Sequence, residues 1–190
     1  MSKVKIGFAL CGSFCTLEKS INQMKKLSEM NYDIIPIMSS NAYTLDTKFG
    51  KAKDFIKKIE DISGKKVLNS LTQVEPIGPK NLTDIMLVCP CTGNTLGKIC
   101  RASTNTAVTL AVKSHLRVQK PVVIALATND ALGASAVNFG KALNMKHFYF
   151  VPLSQDDFEN KPTSLVAHFD LVPKTIELAL EGKQIQPILR

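Results

Sequence analysis

Ile85-Met86-Leu87-Val88-Cys89-Pro90-Cys91-Thr92-Gly93-Asn94-Thr95-Leu96 is the stretch on which the fold turns. Its five leading apolar residues are too few for a typical helix and leave no polar face, so they read as a central parallel strand covered on both sides. Pro90 bounds that strand, because proline has no backbone N–H to give to a ladder. Thr92, Asn94 and Thr95 then supply short donors and acceptors where a helix begins.

The same grammar repeats outward from this segment. Residues 4–10, 33–38 and 122–127 are matching apolar runs, and residues 148–151 are a weaker one. Between them lie helical patterns. Phe14, Leu17, Ile21, Met24 and Leu27 recur every three or four residues, with Asn31 as a stop. Phe49, Ala52, Phe55, Ile56, Ile59 and Ile62 do the same and close at Gly64. Further helices are expected at residues 106–116, 134–143 and 171–180, the last stopped by Gly182. Residues 39–41 and 152–162 read as polar loops, and residues 67–79 fit either a short strand or a helical turn before an irregular exit through Pro76 and Pro79. Strands alternating with helices predict one α/β domain over residues 1–190: a doubly wound, mostly parallel sheet with helices on both faces. In such a sheet ligands sit beyond the carboxyl ends of the strands, near the reversal of strand order.

Bulk properties narrow the function classes. At 190 residues, with 45% hydrophobic and 21% charged positions, the chain has the composition of a soluble globular domain. No apolar run approaches the roughly 20 residues of a bilayer span, and no signal peptide is read, so no membrane partner is expected. The five cysteines are odd in number and lie mostly in apolar runs or beside a glycine turn, which suits the reducing cytoplasm. The net charge of +8 is spread over helix faces (Lys19, Lys25, Lys26, Lys51, Lys53, Lys57, Lys58) with no nucleic-acid motif and few aromatics. Solvated faces or a small anionic ligand account for it better than a nucleic acid. No C-x-x-C pair exists, so small buried thiols explain the cysteines better than a metal, and His115, His147 and His168 read as ordinary histidines.

Four segments can carry chemistry. Gly12 and Ser13 end the first strand at the start of a helix, where free amides and the helix dipole favour an anion; the same pair also serves as an ordinary turn and cap. Ser39, after the second strand, can hold phosphate or ribityl oxygens, or cap a helix. In the 90–95 loop, Gly93 lets backbone approach a planar ligand. Such a loop suits a flavin, whose ring edge takes several fixed hydrogen bonds. Asn129 stands at the carboxyl end of the fourth strand, where it can orient a ligand. Glu75, outside these segments, is a possible proton acceptor or a plain surface carboxylate.

Residues 90–95 resemble the Pro-Ala-Ser-Ala-Asn-Thr motif of the flavin-containing decarboxylase and flavin prenyltransferase family: Pro90, Asn94 and Thr95 are identical, Thr92 replaces Ser, and Cys91 and Gly93 fall at small-residue positions. The resemblance implies an FMN site formed by Pro90, Thr92, Gly93, Asn94 and Thr95, with its phosphate at Gly12, Ser13 and Ser39, and assembly into homo-oligomers. Of a second family motif, Pro-x-Met-Asn-x-x-Met, only Asn129 is kept, and no His occurs before residue 98, which argues against cysteine-type decarboxylation.

Glu75-Pro76-Ile77-Gly78-Pro79-Lys80, Thr128-Asn129-Asp130-Ala131-Leu132-Gly133, Gln155-Asp156-Asp157 with Lys161-Pro162, and the tail Gln184-Ile185-Gln186-Pro187-Ile188-Leu189 resemble a narrower family, the dipicolinate synthase B subunits. That likeness implies action with the A subunit of dipicolinate synthase in oxidising the small dicarboxylate dihydrodipicolinate to dipicolinate, in the mother-cell cytoplasm of a sporulating bacterium. No dinucleotide fingerprint is present, so NADP would bind the partner. Aromatisation removes a hydride and a proton and needs cations for two carboxylates. Asn129 and Glu75 are the candidate catalytic residues, and Arg101, Lys113 and Arg117 are candidate clamps or solvated helix charges. The rival readings are a stand-alone FMN-dependent decarboxylase or prenyltransferase-like enzyme, and an FMN-binding scaffold without catalysis.

Overall fold

The computed structural model describes residues 3–190. Strand β1 (Lys5–Leu10) leads into α1 (Phe14–Glu29), then β2 (Asp33–Met38), α2 (Ser40–Thr44), α3 (Ala52–Ser63) and α4 (Leu71–Val74), the last running into a 3-10 turn at Glu75–Ile77. The second half is β3 (Ile85–Cys91), α5 (Gly93–Cys100), α6 (Ala107–Leu116), β4 (Val122–Thr128), α7 (Ala136–Leu143), β5 (Phe148–Phe150), β6 (Leu153–Ser154), β7 (Leu165–Ala167) and α8 (Val172–Leu180).

The sheet order is β2-β1-β3-β4-β7-β6, with β5 also paired to β4. Pairs β1·β2, β1·β3, β3·β4 and β4·β5 are parallel, whereas β7 runs antiparallel to both β4 and β6. One edge of β4 is thus divided. Its first half, Val122 to Ile124, takes β5, and its end, Ala127 and Thr128, takes β7. The result is an α/β fold with a mixed central sheet, mostly parallel as expected. Strand order reverses between β1 and β3, because the chain moves from β1 outward to β2 and then returns to β1's other side.

Both faces of the sheet are covered, which is why the central strands read as unbroken apolar runs. Ile6, Phe8, Leu10, Leu87, Cys89 and Val123 face α1, α3 and α8 through Leu17, Ile21, Phe55, Ile59, Val172 and Ile176. Ala9, Met86, Val88, Cys91, Ile124 and Leu126 point the other way and pack on α5, α6 and α7 through Leu96, Val108, Val112 and Phe139. Asn31 and Gly64, read as helix stops, both take the left-handed conformation, with φ of 68° and 66°.

Four expectations need correction. Strand β3 does not end at Pro90 but continues to Cys91, which pairs with Leu126. The ladder with β4 shifts register between Val88 and Cys91, where Pro90 has no N–H to donate. Residues 39–41 are not a loop: Ser39 caps α2, its hydroxyl accepting from the Ala42 amide. Phe49 is not part of a helix. It sits in a tight turn in which the amides of Thr47 and Gly50 each donate to the other residue's carbonyl. Gly50 there has φ 147°, and a Cβ on it would meet the Phe55 ring at 2.8 Å. Finally, the polar stretch after β5 hides β6 and the approach to β7; antiparallel pairing by two- and three-residue strands carries no sequence period to detect.

His115, fully buried at the end of α6, joins the entries to two strands. Its Nε2–H donates to the Pro121 carbonyl at 3.0 Å, and its Nδ1 accepts from the Thr83 hydroxyl at 2.8 Å. Burial pushes its pKa down to about 4. Because the folded value lies below the ordinary ~6.5, the unfolded chain binds the extra proton first. The neutral ring therefore contributes stability fully above pH ~6.5, and that contribution, about 3 kcal/mol, is lost as pH falls toward 4. Urea unfolding at pH 7, 5.5 and 4.5 should show this loss in the wild type and a flatter profile in His115→Gln. Parallel profiles would refute it.

Candidate functional site

The carboxyl ends of β1, β3 and β4 meet at the reversal of strand order. The Cys11 amide, donating to the Pro90 carbonyl at 3.2 Å, ties the end of β1 to β3, and the Ser39 amide, donating to the Leu10 carbonyl at 2.9 Å, ties the end of β2 to β1. Above them opens a cleft of about 790 Å³, within the range of sites that hold cofactors. Its walls come from the turn Gly12, Ser13 and Phe14, the loop Thr92, Gly93 and Asn94, the β4 end from Ala127 to Asp130, and the Lys48–Phe49 turn.

Each wall has a local cause. At the start of α5 the Thr92 hydroxyl accepts from the Thr95 amide at 3.2 Å and donates to the Thr95 hydroxyl at 3.0 Å, so both hydroxyls take part in the cap and Thr92 keeps one free lone pair. Thr95 is consequently buried beneath the loop, whereas Thr92, Gly93 and Asn94 reach the cleft. Gly93 is required by protein atoms. A Cβ there would lie 2.6 Å from Ser135 Oγ, 2.7 Å from Thr128 Oγ1 and 2.8 Å from Asp130 Oδ1. Those three form a network in which the hydroxyls of Thr128 and Ser135 donate to the two oxygens of the Asp130 carboxylate. The carboxylate is thereby fixed beside the amino-terminal end of α5, where a negative charge is favoured.

The β7 segment closes the cleft from the far side. The Thr163 hydroxyl donates to the Asn129 carbonyl at 2.7 Å, and the Leu132 amide donates to the Thr163 carbonyl at 3.0 Å. These bonds hold the backbone at Asn129 while its exposed side chain stays at the cleft. The same segment brings Asp156 and Lys161 into the wall, paired at 3.4 Å. The Ser164 hydroxyl, with the Lys161 ammonium, keeps the Asp156 carboxyl below the usual carboxylate range. Lys19 and Lys48 complete a rim of three lysines and two aspartates, and Lys48 lies 5.3 Å from the centre of the Phe49 ring.

Of the residues singled out from sequence, the fold brings together Gly12, Ser13, Thr92, Gly93, Asn94 and Asn129. Pro90 and Thr95 lie under the floor, and the Ser39 hydroxyl is engaged as a cap next to it. Glu75 does not reach the site. It sits exposed at the 3-10 turn, where its carbonyl accepts from the Ser114 hydroxyl near the end of α6. Arg101, Lys113 and Arg117 are also outside the walls; the cations present are Lys19, Lys48 and Lys161. Sequence reading missed Lys48, Asp130, Asp156, Lys161 and Ser164 as site residues. The signal for Asp130, Asp156 and Lys161 lies in the segments 128–133 and 155–162, which the resemblance marks without assigning roles, and Ser164 follows directly after the second. Lys48 belongs to a turn that only the tertiary fold reveals.

Burial disfavours the thiolate at the cysteines of the sheet and its turns. Burial pushes Cys11 up to about 11 and Cys89 up to about 12, and raises Cys91 well above an ordinary thiol. Among the described residues no group of three His, Cys, Asp or Glu side chains could hold a metal ion, and no helix is long and apolar enough to cross a membrane.

Comparison with known proteins shows the family and the fold. Residues 1–167 match the family described as Flavoprotein. The B subunit of dipicolinate synthase from Bacillus subtilis (strain 168) is 40% identical over 185 residues, which is 97% of this chain and 92% of that protein. The crystal structure of the corresponding B subunit from Bacillus halodurans C superposes with a TM-score of 0.91 at 40% identity, over 100% of this chain and 98% of that one. An FMN-dependent cysteine decarboxylase, SpaF, shares the fold at a TM-score of 0.70 and 18% identity, covering 94% of this chain and 96% of its own.

Two outcomes are expected of the site. Gly93→Ala forces a methyl into three oxygen atoms and should cost about 1–3 kcal/mol, read as a fall in Tm of roughly 2–4 °C per kcal/mol; an unchanged Tm would show that the network moves aside freely. Cys15 is the one exposed cysteine and lines the cleft. A thiol reagent should therefore modify Cys15 alone in the native protein, more slowly when an anion fills the cleft, and all five cysteines in denaturant.

Proposed function

The chain belongs to the flavoprotein family, and from that premise we propose that it is the B-type component of a two-component dipicolinate synthase. In this reading it acts with the A subunit of dipicolinate synthase in oxidising dihydrodipicolinate to dipicolinate, in the cytoplasm of a spore-forming mother cell. NADP binds the partner, and the cleft between β1, β3 and β4 is an FMN-type site. The observation that carries the reading is the 40% identity to a dipicolinate synthase B subunit across nearly the whole of both chains.

The residues at the cleft fit such a group. Ser13, at the amino-terminal end of α1, offers a hydroxyl beside free backbone amides for a phosphate, with Lys19 and Lys48 adding positive charge. Thr92, Gly93 and Asn94 offer a polar ring-edge contact at a backbone without a side-chain barrier, while Phe14, Phe49, Ala127 and Val166 supply apolar cover. A bound flavin would supply a two-electron acceptor. The protein's own groups would do the rest: Lys161, and Lys19 or Lys48, receive carboxylates, and Asn129, its backbone pinned by Thr163, orients the ligand. Asp130, rather than the remote Glu75, is the fixed carboxylate at the cleft and the better placed proton acceptor.

A stand-alone cysteine-type decarboxylase is less well supported, because none of His115, His147 and His168 lines the cleft. An FMN-binding scaffold without catalysis is separated by experiment. Purified chain, with and without the A-type partner, is assayed for dihydrodipicolinate-dependent reduction of NADP while the visible spectrum is recorded. Turnover should need both chains, and the yellow flavin spectrum should appear on adding FMN. In the complete system Lys161→Ala should raise KM for the dicarboxylate about ten-fold, the loss of roughly 1.4 kcal/mol of charge-assisted binding, with Tm unchanged. Turnover by this chain alone would exclude the two-component reading; turnover with a partner but no flavin uptake would exclude the FMN site and leave a scaffold without flavin.

A further inference from the structure

Charge is divided unequally between the two faces of the sheet. Residues 85–155 contain seven Lys and Arg and a single acidic residue, Asp130, so +6 of the net charge of +8 falls on this stretch. The lysines of α1 and α3 stand instead among the acids of the remaining chain. The stretch includes α5, α6 and α7, which pack together on one face of the sheet. Asp130 offers that face little compensation, because its carboxylate is held by the Thr128 and Ser135 hydroxyls. Lys120, paired with Asp84 at 3.0 Å, is the one cation of the stretch in an ion pair among the described residues.

Within this positive face, α7 turns an apolar strip outward. Residues 131–140 carry no charge. Phe139 and Ala142 of α7 are buried, while Ala136, Val137, Gly140 and Leu143 are exposed, and Val137, at 73%, is the most exposed large hydrophobic side chain of the described residues. Apolar surface of this kind is the usual centre of a protein interface. Gly140 points the same way. Glycine inside a helix is less stable than alanine, yet nothing in its own chain requires it, since a Cβ there would meet no atom within 4 Å. The space it leaves lies on the outside of the helix. Cations border the strip on the α5 side. Arg101 reaches across Gly97, with its guanidinium 3.2 Å and the Asn138 amide nitrogen 3.1 Å from the place of a Cβ, and Lys141 and Arg101 both flank the Cys100 thiol, which donates to the Asn138 carbonyl at 3.3 Å.

We propose that the outer face of α7, with its Arg101 and Lys141 border, docks the A-type partner chain through an apolar surface rimmed by carboxylates. This rests on the two-component reading. Charge selects the occupant. A second copy meeting face to face would set Arg101 and Lys141 against themselves, and the nearly neutral opposite side of a copy offers no comparable attraction. Nucleic acid would pair the cations but leave Val137 and Leu143 uncovered. The place also suits the reaction, because α5 starts at the cleft wall and α7 follows the Asp130 turn, so a chain docked here stands beside the cleft.

The test is calorimetric titration of the full chain with the A-type chain, with sedimentation of each protein alone. Wild type should bind, and bind more weakly as salt is raised. Val137→Asp and Lys141→Glu should each weaken binding about ten-fold or more, whereas Lys57→Glu, the same charge change on α3 of the opposite face, should not. Gly140→Leu separates docking from stability: the Tm of the free chain should hold or rise, and binding should still weaken. Wild type that does not bind the A-type chain would sink the two-component reading and the docking with it. Binding unaffected by Val137→Asp, Lys141→Glu and Gly140→Leu would overturn the docking alone. Self-association abolished by Val137→Asp would mean that a second copy covers α7, and an RNA oligonucleotide held by wild type but released by Lys141→Glu would mean a polyanion site; either result overturns the proposal.

Discussion

The hydrogen bond from the Cys11 amide to the Pro90 carbonyl joins the ends of the two strands between which strand order reverses. Everything at the cleft is referred to that point. It sets where the Gly12–Ser13 turn leaves β1 and where Thr92 starts α5, and so it fixes the spacing of two helix starts that face one opening. Proline suits this place because the ladder with β4 is already irregular there and no amide is needed, while its carbonyl is free to accept. Loop residues then become precise because the scaffold under them is buried on both faces.

The second constraint is steric. Gly93 lies against the oxygens of Thr128, Asp130 and Ser135, so the start of α5 and the turn after β4 are packed as one unit. Asp130 gains a fixed orientation from two hydroxyl donors, and the backbone of Asn129 gains its own from Thr163. A glycine that sequence suggests is open for a ligand is therefore filled from behind by the protein. The loop's cleft-facing surface is made instead by Thr92 and Asn94, with no side chain between them.

The parallel core was legible because each strand is an uninterrupted apolar run and each helix has a 3.6-residue stripe. The stops at Asn31 and Gly64 were legible because left-handed backbone favours Asn and Gly. What escaped was everything made by tertiary pairing of short pieces: β6 and β7, the Lys48–Phe49 turn, and the cleft-facing side of residues 156–164. Glu75 shows the reverse error. An acidic residue in a marked segment carries no information about which edge of the sheet it will occupy, and here it lies beside α6, away from the cleft. The scattered lysines are likewise ambiguous in sequence, since Lys19 and Lys161 are distinguished from solvated neighbours only by what the fold places opposite them.

If the cleft between the ends of β1, β3 and β4 is where this protein holds its cofactor, a crystal structure of the full chain grown with FMN will show it there. Ordered flavin density is expected, bounded by Ser13 at the phosphate and by Thr92, Asn94 and Asn129 at the ring. Flavin ordered on a different surface, or an empty cleft at saturating FMN, would contradict it.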